Sequence, residues 1–362
     1  MTGGVPVGSE AWLREVFDRV VRADLFPEAP VGEPVLVLLG GQPAAGKTLA
    51  QERILAEYPN LVSITGDDLR QFHPDYVGLC ETDPVGMPGA TAPVSGGLVR
   101  LALDHALAHR YSVLLEGTFR DRGMVADTAA RFAGTGYRVE VVAVATPAPV
   151  SRLAAEQRYL GAPTPAQARW TPPDAHESAL AASSGVLAAL EALPGVTSVR
   201  VHARDRVLFE NRRTPAGEWV VAPLGAEAMR AEQQRSLDPG AAIEWLARYQ
   251  VVFTAAQGRA RYLRPETLPA YRRLQDDAAC MIDLAETDGA DVGVFRDQQR
   301  QRRIALRVAD PVWSRLNPFR ARPGRGHPSA AEELERRAQQ LDDTDVLRRP
   351  PPGDPGGPSL GL

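Results

Sequence analysis

The feature that most constrains the fold is an apolar run that ends in glycines and leads directly into a helix, LVLLGGQPAAGKTLAQERIL at residues 36–55. Residues 34–39 have the short, uniformly apolar character of a strand buried on both faces of a parallel sheet. A helix is predicted from Lys47 to about Glu57. Between strand and helix, the motif G-x-x-x-x-G-K-[ST] is matched by Gly41, Gln42, Pro43, Ala44, Ala45, Gly46, Lys47 and Thr48.

This loop has the chemistry of a phosphate-binding site. The glycines let successive backbone N–H groups turn toward phosphate oxygens at the N-terminus of a helix. Lys47 is the only lysine among 41 Lys plus Arg residues. It supplies a compact charge to the β- and γ-phosphates, where the planar fork of an arginine would not fit. The motif therefore predicts ATP and Mg²⁺ as ligands, with a solvated Lys47 and with Thr48 on the metal. The alternative, a glycine-rich turn without a ligand, does not explain why the single lysine is placed here.

Apolar strands alternate with helices over the first 215 residues, which predicts βαβ units around a parallel sheet. We expect a helix over 10–22 capped by Ser9 and a long Gly/Pro-rich loop over 83–97. The other predicted strands are 61–65, 112–118 and 138–146; the other helices are 98–109, 123–134 and 178–193, followed by a hairpin over 199–212.

The second half of the chain has a different character. Helices are predicted at 225–236, 240–257 and 265–285, and the chain then becomes rich in Arg, Gly and Pro. A capping box from Ser329 to Glu332 predicts one more helix, and the last fourteen residues are expected to be disordered. The predicted fold class is α/β, a P-loop NTPase-type parallel sheet flanked by helices, with a helical C-terminal region and a disordered tail. The predicted domains are 1–215, 216–285 and 286–362.

Polar side chains follow two of the predicted strands at their C-terminal ends, the edge of an open α/β sheet where ligands bind. These are Asp67 and Asp68 after the second strand, and Glu116 and Thr118 at the third. An aspartate there can accept the proton of a hydroxyl that attacks the γ-phosphate. The alternatives are that one aspartate only caps the next helix and that Glu116 and Thr118 only form a polar turn.

Charge and cysteine content narrow the class of protein. The net charge of −4 and the pI near 5.9 argue against a protein that coats nucleic acid. Cys80 and Cys280 lie far apart in the sequence and suggest neither a disulfide framework nor a zinc cluster. The sequence shows no signal peptide and no apolar run long enough for a membrane span. A soluble, cytoplasmic protein is therefore expected.

Four motifs together, in their order and spacing, resemble the zeta toxin family: LLGGQPAAGKT, DDLRQFHPDY, LLEGTFRD and ARWTPPDAHE. The likeness covers roughly residues 34–210. The combination of the loop with D-x-[FL]-[RK]-x-x-H-P is far more specific than either part. The resemblance implies a P-loop kinase, the toxin of a toxin–antitoxin system, with a cognate antitoxin protein as partner. It also implies a sugar-nucleotide substrate, the family's well-understood members phosphorylating the 3′-hydroxyl of UDP-N-acetylglucosamine.

The resemblance also implies roles for individual residues. Asp67 corresponds to the general base, six residues before His73, and Asp68 to a variable position. Arginines on a mobile segment neutralise the transferred phosphoryl group in small kinases. The resemblance assigns the phosphate-handling arginines to Arg158 and Arg169, which without it would be solvated helix charges. It assigns the contacts to the sugar nucleotide to Glu116 and Thr118.

The sequence departs from the family pattern in ways that concern the substrate. An acidic substrate residue that the family can carry before the third strand has no clear counterpart, and ungapped counting places Arg100 there. The loop at 83–97 is unusually rich in Gly and Pro. These departures leave open another hydroxyl acceptor, such as the ribose of a dinucleotide.

A rival hypothesis comes from the basic tail. Nine arginines but only two acids, Asp297 and Asp310, lie between Arg296 and Arg325, with aromatic residues interleaved. A P-loop ATPase regulator whose tail binds nucleic acid would have this composition. We favour a basic face that packs on an acidic body, and we do not expect nucleic acid as a partner.

Overall fold

A computed structural model describes residues 5–30, 32–259 and 262–311. The chain forms two compact units, each built from two segments. Unit 1 is Met1–Thr146 with Ala175–Gln234, and unit 2 is Pro147–Asp174 with Arg235–Leu362. This division differs from the predicted boundaries at residues 215 and 285. The segment 147–174 groups with the C-terminal helices, and the chain as far as Gln234 belongs to unit 1.

Unit 1 contains a six-stranded sheet in the order β2-β3-β1-β4-β5-β6. Strands β1 to β5 are parallel, and β6 pairs antiparallel with β5. The predicted fold class and the predicted hairpin are therefore confirmed. The strands are β1 Val35–Gly40, β2 Val62–Thr65, β3 Val113–Glu116, β4 Arg138–Val144, β5 Val196–His202 and β6 Val207–Arg212.

The central strand β1 is buried along its whole length because apolar clusters cover both faces of the sheet. Leu36 and Leu38 belong to the larger cluster, and Val37 and Leu39 belong to a second cluster with Ile54. Each such side chain contributes about 1.5–3 kcal/mol on burial. An unbroken apolar run is what a parallel strand between two helical layers requires.

The described residues contain thirteen α-helices. In chain order they are α1 Glu10–Val16, α2 Arg22–Leu25, α3 Lys47–Glu57, α4 Gly66–Leu69, α5 Tyr76–Thr82, α6 Met87–His109, α7 Arg122–Ala133, α8 Ala148–Leu160, α9 Pro173–Ala192, α10 Gly225–Gln233, α11 Pro239–Gly258, α12 Leu268–Thr287 and α13 Gly293–Ala309. The predicted cap is confirmed: Trp12 N–H donates to the Ser9 hydroxyl. A π-helical turn, Phe17–Val21, continues α1 into α2.

The predicted loop over 83–97 is wrong. Most of it forms the first half of α6, which begins at Met87. Pro88 lies in the first turn, where no intrahelical N–H is required. Pro93 lies inside the helix, and the helix forms despite it because one face, which includes Thr91 and Leu98, is buried against the rest of unit 1. Tertiary packing here overrides weak local propensity.

Unit 2 packs α8 against α11 and α12, and α12 against α13. Its centre is aromatic, with Tyr249, Phe253 and Tyr271 in edge-to-face contacts. Trp245 Nε1 donates to the carbonyl of Pro149, which ties α11 to the start of α8. The three predicted C-terminal helices are confirmed as α10, α11 and α12, although α10 belongs to unit 1.

Helix α13 lies in the segment expected to be tail. The Arg302 side chain is 1% exposed, donates to Gln250 Oε1 at 2.6 Å and lies 4.5 Å over the ring of Tyr249. Arg296 forms an ion pair with Glu286. Arg302 therefore packs inside the unit, and the part of the basic run beyond residue 311 lies outside the described residues. The predicted helix at Ser329 and the predicted disordered tail lie outside the described residues.

Candidate functional site

The glycine-rich loop follows β1 and leads into α3, as the motif requires. At Gly41 the backbone φ is 148°, and a β-carbon there would lie 2.2 Å from the carbonyl oxygen of Val144. Gly46, the residue before α3, has a φ of 101°, and Ala44 also adopts a left-handed conformation. Gly41 and Gly46 disfavour any side chain, because a positive φ is readily adopted only by glycine. The loop therefore has the backbone shape that the phosphate cradle needs.

A buried network of hydrogen bonds connects the loop to Thr146 after β4 and to Gln233 on α10. Gln42 Nε2 donates to the carbonyl of Thr146 at 2.6 Å, and the Thr146 hydroxyl donates to the carbonyl of Ala45 at 2.8 Å. From α10, Gln233 Nε2 donates to Gln42 Oε1 at 3.0 Å and to the Ser183 hydroxyl at 2.9 Å. Sequence reasoning missed Gln233, since a single glutamine in a helix outside every motif gives no signal. These bonds tie the loop to the end of β4 and, through Gln233, to α9 and α10.

The Lys47 ammonium group is enclosed by the loop rather than solvated. Its side chain is 10% exposed, so the expectation of a solvated lysine is wrong. Lys47 Nζ donates to the carbonyls of Gly41 at 3.2 Å and Gln42 at 3.4 Å. It also lies 3.8 Å from Glu116 Oε1. The group therefore sits at the mouth of the cradle, between the loop carbonyls and the end of β3.

The strand register aligns the ends of β1, β2 and β3. Leu39 pairs with Glu116, and Thr65 pairs with the same Glu116 on its other side. Because the three strands are parallel neighbours, the chain leaves all three at the same edge of the sheet. The glycine-rich loop, Asp67 and Glu116 are thereby brought together, as the sequence predicts.

The two aspartates lie in the first turn of the short helix α4. Its N-cap residue is Thr65, so neither aspartate occupies the cap position that the alternative interpretation required. The side chain of Asp67 is 43% exposed, and Asp67 Oδ1 accepts from Arg70 Nε at 3.1 Å. Asp68 is exposed.

The chain after β3 presents the other predicted substrate contact. Thr118 is exposed, whereas the next residue, Phe119, is buried and has a φ of 48°. A left-handed conformation is costly for an aromatic residue, and such strain is concentrated at functional sites. Thr48 is likewise exposed, in the first turn of α3 beside Lys47. One or two protein ligands suffice for a Mg²⁺ bound mainly through phosphates, so the Thr48 hydroxyl fits that role.

Arg158 and Arg169 belong to unit 2. Both are exposed, and Arg158 Nη2 donates to the Thr171 hydroxyl at 3.1 Å. Helix α8, which carries Arg158, also carries Glu156. The Glu156 carboxylate accepts a hydrogen bond from the Tyr262 hydroxyl at 2.6 Å, which anchors the helix within unit 2. Burial raises the pKa of the Glu156 carboxyl, and the hydrogen bonds from Tyr262 and Tyr271 partly oppose this shift. Sequence reasoning missed this anchor, since Glu156 and its partners are more than a hundred residues apart.

Arg100 occupies the position at which ungapped counting expects the acidic substrate residue of the family. It lies on α6, half-exposed, and forms ion pairs with Glu10 at 2.5 Å and Asp104 at 3.5 Å. Cys80 is buried and Cys280 is exposed, and both are free thiols. Across 5–30, 32–259 and 262–311, the helices are all too short or too polar to cross a bilayer.

Comparison with known proteins matches the family model described as Zeta toxin to residues 20–214. The toxin PezT of Streptococcus pneumoniae is 32% identical over 177 residues, which cover 48% of this chain and 70% of that protein. The toxin zeta of Streptococcus pyogenes is 27% identical over 246 residues, which cover 66% of this chain and 86% of that protein.

One solved structure supports the fold. It comes from a study of the PezAT chromosomal toxin–antitoxin system of Streptococcus pneumoniae, with a TM-score of 0.54 and 21% sequence identity. The alignment covers 68% of this chain and 95% of that one.

Proposed function

The chain belongs to the zeta toxin family, and from that premise we propose that it is an ATP-dependent kinase whose acceptor is a hydroxyl group of a sugar nucleotide. The first candidate is the 3′-hydroxyl of UDP-N-acetylglucosamine. The proposal joins the family membership to the chemistry of the residues around the glycine-rich loop.

One observation carries the proposal: the register that aligns Leu39, Thr65 and Glu116 across three parallel strands. It supports the proposal because β1, β2 and β3 end at one edge of the sheet, where the glycine-rich loop would bind phosphate, Asp67 would act as the base and Glu116 would bind a sugar hydroxyl. A kinase needs these three groups together, because phosphoryl transfer depends mainly on positioning and on charge stabilisation.

In this mechanism the backbone N–H groups of the loop bind the β- and γ-phosphates of ATP. Lys47 exchanges its contacts with loop carbonyls for phosphate oxygens, to which a compact ammonium charge is well suited. A Mg²⁺ ion would be held by the Thr48 hydroxyl and would neutralise phosphate charge.

Asp67 acts as the general base in this proposal and accepts the proton of the attacking hydroxyl. Glu116 and Thr118 orient the sugar so that this hydroxyl faces the γ-phosphate. Arg158 and Arg169 stabilise the charge that develops on the transferred group. The assignment of the two arginines rests on the family motif alone.

The deciding experiment incubates the full chain with ATP, Mg²⁺ and a panel of sugar nucleotides and dinucleotides, with the products identified by mass spectrometry. We expect a mass gain of one phosphoryl group on UDP-N-acetylglucosamine, absent with Asp67→Asn. Phosphorylation of NAD with UDP-N-acetylglucosamine unchanged would keep the kinase and overturn the acceptor. ATP hydrolysis without any phosphorylated acceptor would overturn the kinase.

We also propose a cognate antitoxin protein as partner, on the ground of family membership. Co-expression with the product of the adjacent gene should restore growth of cells that the active chain inhibits. The Asp67→Asn variant should not inhibit growth in the first place.

A further inference from the structure

Two hydroxyl side chains on one face of α6 hold the turn that carries Asp67. The Thr91 hydroxyl is fully buried, donates to the carbonyl of Met87 at 2.9 Å and accepts from Arg70 Nη1 at 2.8 Å. One helical turn later, the buried Ser95 hydroxyl donates to the carbonyl of Gly66, the first residue of α4. Helix α6 therefore contacts both ends of the segment that contains Asp67.

Arg70 links this face of α6 to the Asp67 carboxylate. Besides its bond to Thr91, Arg70 Nη1 donates to the carbonyl of Pro88 at 2.6 Å. Arg70 Nε donates to Asp67 Oδ1 at 3.1 Å. Because a guanidinium group is planar and rigid, fixing Nη1 against α6 also fixes the direction in which Nε points. The direction of Nε in turn restricts the rotation of the Asp67 carboxylate.

We propose that Arg70, Thr91 and Ser95 are positioning residues for Asp67, and that the Gly/Pro-rich first half of α6 is the platform from which they act. The proposal rests on the proposed function, in which Asp67 is the base. A base must be held within hydrogen-bond reach of the proton that it takes, and a displacement of about 1 Å can cost about a hundredfold in rate. None of the three side chains needs to touch the substrate.

An exposed ion pair between Arg70 and Asp67, three residues apart in sequence, would by itself have little effect. The anchoring of Arg70 distinguishes this pair from ordinary surface pairs. Its side chain is only 20% exposed, and two acceptors on α6 hold it in place. The two contacts on α6 cannot be explained as a helix-surface pair, since Pro88 and Thr91 lie on a different helix.

The test compares Thr91→Val with Thr91→Ser. Valine keeps the shape of the side chain and removes the hydroxyl, whereas serine keeps the hydroxyl and removes a buried methyl group. We expect Thr91→Val to lower kcat about tenfold at an unchanged KM for ATP, and Thr91→Ser to stay within about twofold of the wild type. If Thr91 acted through packing alone, Thr91→Ser would lower kcat more than Thr91→Val. Rates are taken per binding-competent site, titrated with a non-hydrolysable ATP analogue, so that loss of folded protein does not enter.

A double-mutant cycle decides whether Thr91 acts through Asp67. In the Asp67→Asn background, Thr91→Val should cause no further loss, because groups that act as one unit are not additive. An independent tenfold loss in that background would overturn the proposal, and so would wild-type kcat in Thr91→Val. If Asp67→Asn itself kept full turnover, the proposed function would fail first, so the two failures are distinguishable.

Discussion

Gln233 donates a hydrogen bond to Gln42 Oε1 at 3.0 Å, and this contact joins a helix beyond the family-matched segment to the glycine-rich loop. Both side chains are buried. In Gln233→Ala the buried Gln42 Oε1 loses this donor, which should lower the free energy of unfolding by about 1–3 kcal/mol. It should also weaken binding of a non-hydrolysable ATP analogue by about tenfold, or roughly 1.4 kcal/mol. The exposed neighbour offers a control: Gln234→Ala should leave calorimetric affinity and unfolding unchanged.

Replacement of the single lysine should remove turnover without unfolding unit 1. Lys47→Ala loses a charge aimed at the phosphates, and the loss of one such group costs about 10²–10³-fold in kcat. We expect Lys47→Arg to be nearly as inactive, since arginine presents a planar fork to the phosphates in place of a compact charge. Initial rates and circular dichroism of both variants are the measurement. Full turnover in Lys47→Arg would contradict our explanation of why the chain has a lysine here.

The adjacent aspartates provide a matched pair. Asp67→Asn should lower kcat by about 10²–10⁴-fold, the contribution of a positioned base, while binding of an ATP analogue survives. Asp68→Asn should cost much less, because Asp68 has neither the proposed role nor the cap position of α4. Single-turnover rates of the two variants test this assignment, and equal losses would show that the base is not Asp67 alone.

The arginines of unit 2 should act on the transition state more than on binding. Arg158→Ala and Arg169→Ala are expected to lower kcat by a larger factor than they raise the KM for ATP, as befits groups that interact with developing charge. Steady-state kinetics at saturating acceptor separate the two effects. The surface variant Arg14→Ala, which breaks only an exposed pair with Glu10, should match the wild type. A rise in KM alone would indicate that the arginines bind ground-state phosphates.

Glu156 makes the stability of unit 2 depend on pH. Burial raises the pKa of this carboxyl in the folded state. The contribution of the protonated group to stability is therefore complete below the unfolded pKa of about 4.3 and is lost as the pH rises through the folded value. Glu156→Gln cannot ionise, so its thermal midpoint should approach that of the wild type near pH 4 and exceed it at pH 8.

Thermal unfolding of wild type and Glu156→Gln across this range is the measurement. Glu244→Gln, at an exposed position on α11, serves as the control and should follow the wild type throughout. A Glu156→Gln midpoint that falls further below that of the wild type as the pH rises would contradict a raised pKa for Glu156 in the folded state.

The sequence predicts the sheet well because its strands are short segments rich in Val, Ile and Leu that are bounded by turn residues, and the central strand β1 is apolar throughout. It fails over the first half of α6, whose glycines and prolines indicate a loop. The helix forms because Thr91, Ser95 and Leu98 lie on one buried face, which is covered by elements that precede it in the chain, among them α1, α4 and β2. Helix α13 falls within the predicted tail for the opposite reason: its arginines indicate exposure to solvent, yet Arg302 is buried, with its guanidinium group over the ring of Tyr249.

Some residues of the candidate site could be predicted from the sequence and others could not. Residues close in sequence to the loop or at strand ends could be predicted, because parallel strands bring their C-terminal ends together. The supporting residues Gln233 and Glu156 could not be predicted, since each acts through a hydrogen bond to a partner about a hundred residues or more away. Arg70 lies inside a recognised motif, but its contact with Thr91 depends on the first half of α6, where the sequence predicts a loop.

The two-segment construction of unit 2 dictates an order of events on the ribosome. Helix α8 emerges early, but the helices that cover its buried face, α11 and α12, are translated only after the rest of unit 1. Domains fold as units during synthesis, and apolar surface exposed in the meantime is prone to aggregate. The nascent chain must therefore complete unit 1 around an unfinished insertion, and the segment with Arg158 is among the last parts to acquire its native environment. A chain truncated after the family-matched region would lack α11 and α12, the helices that cover α8.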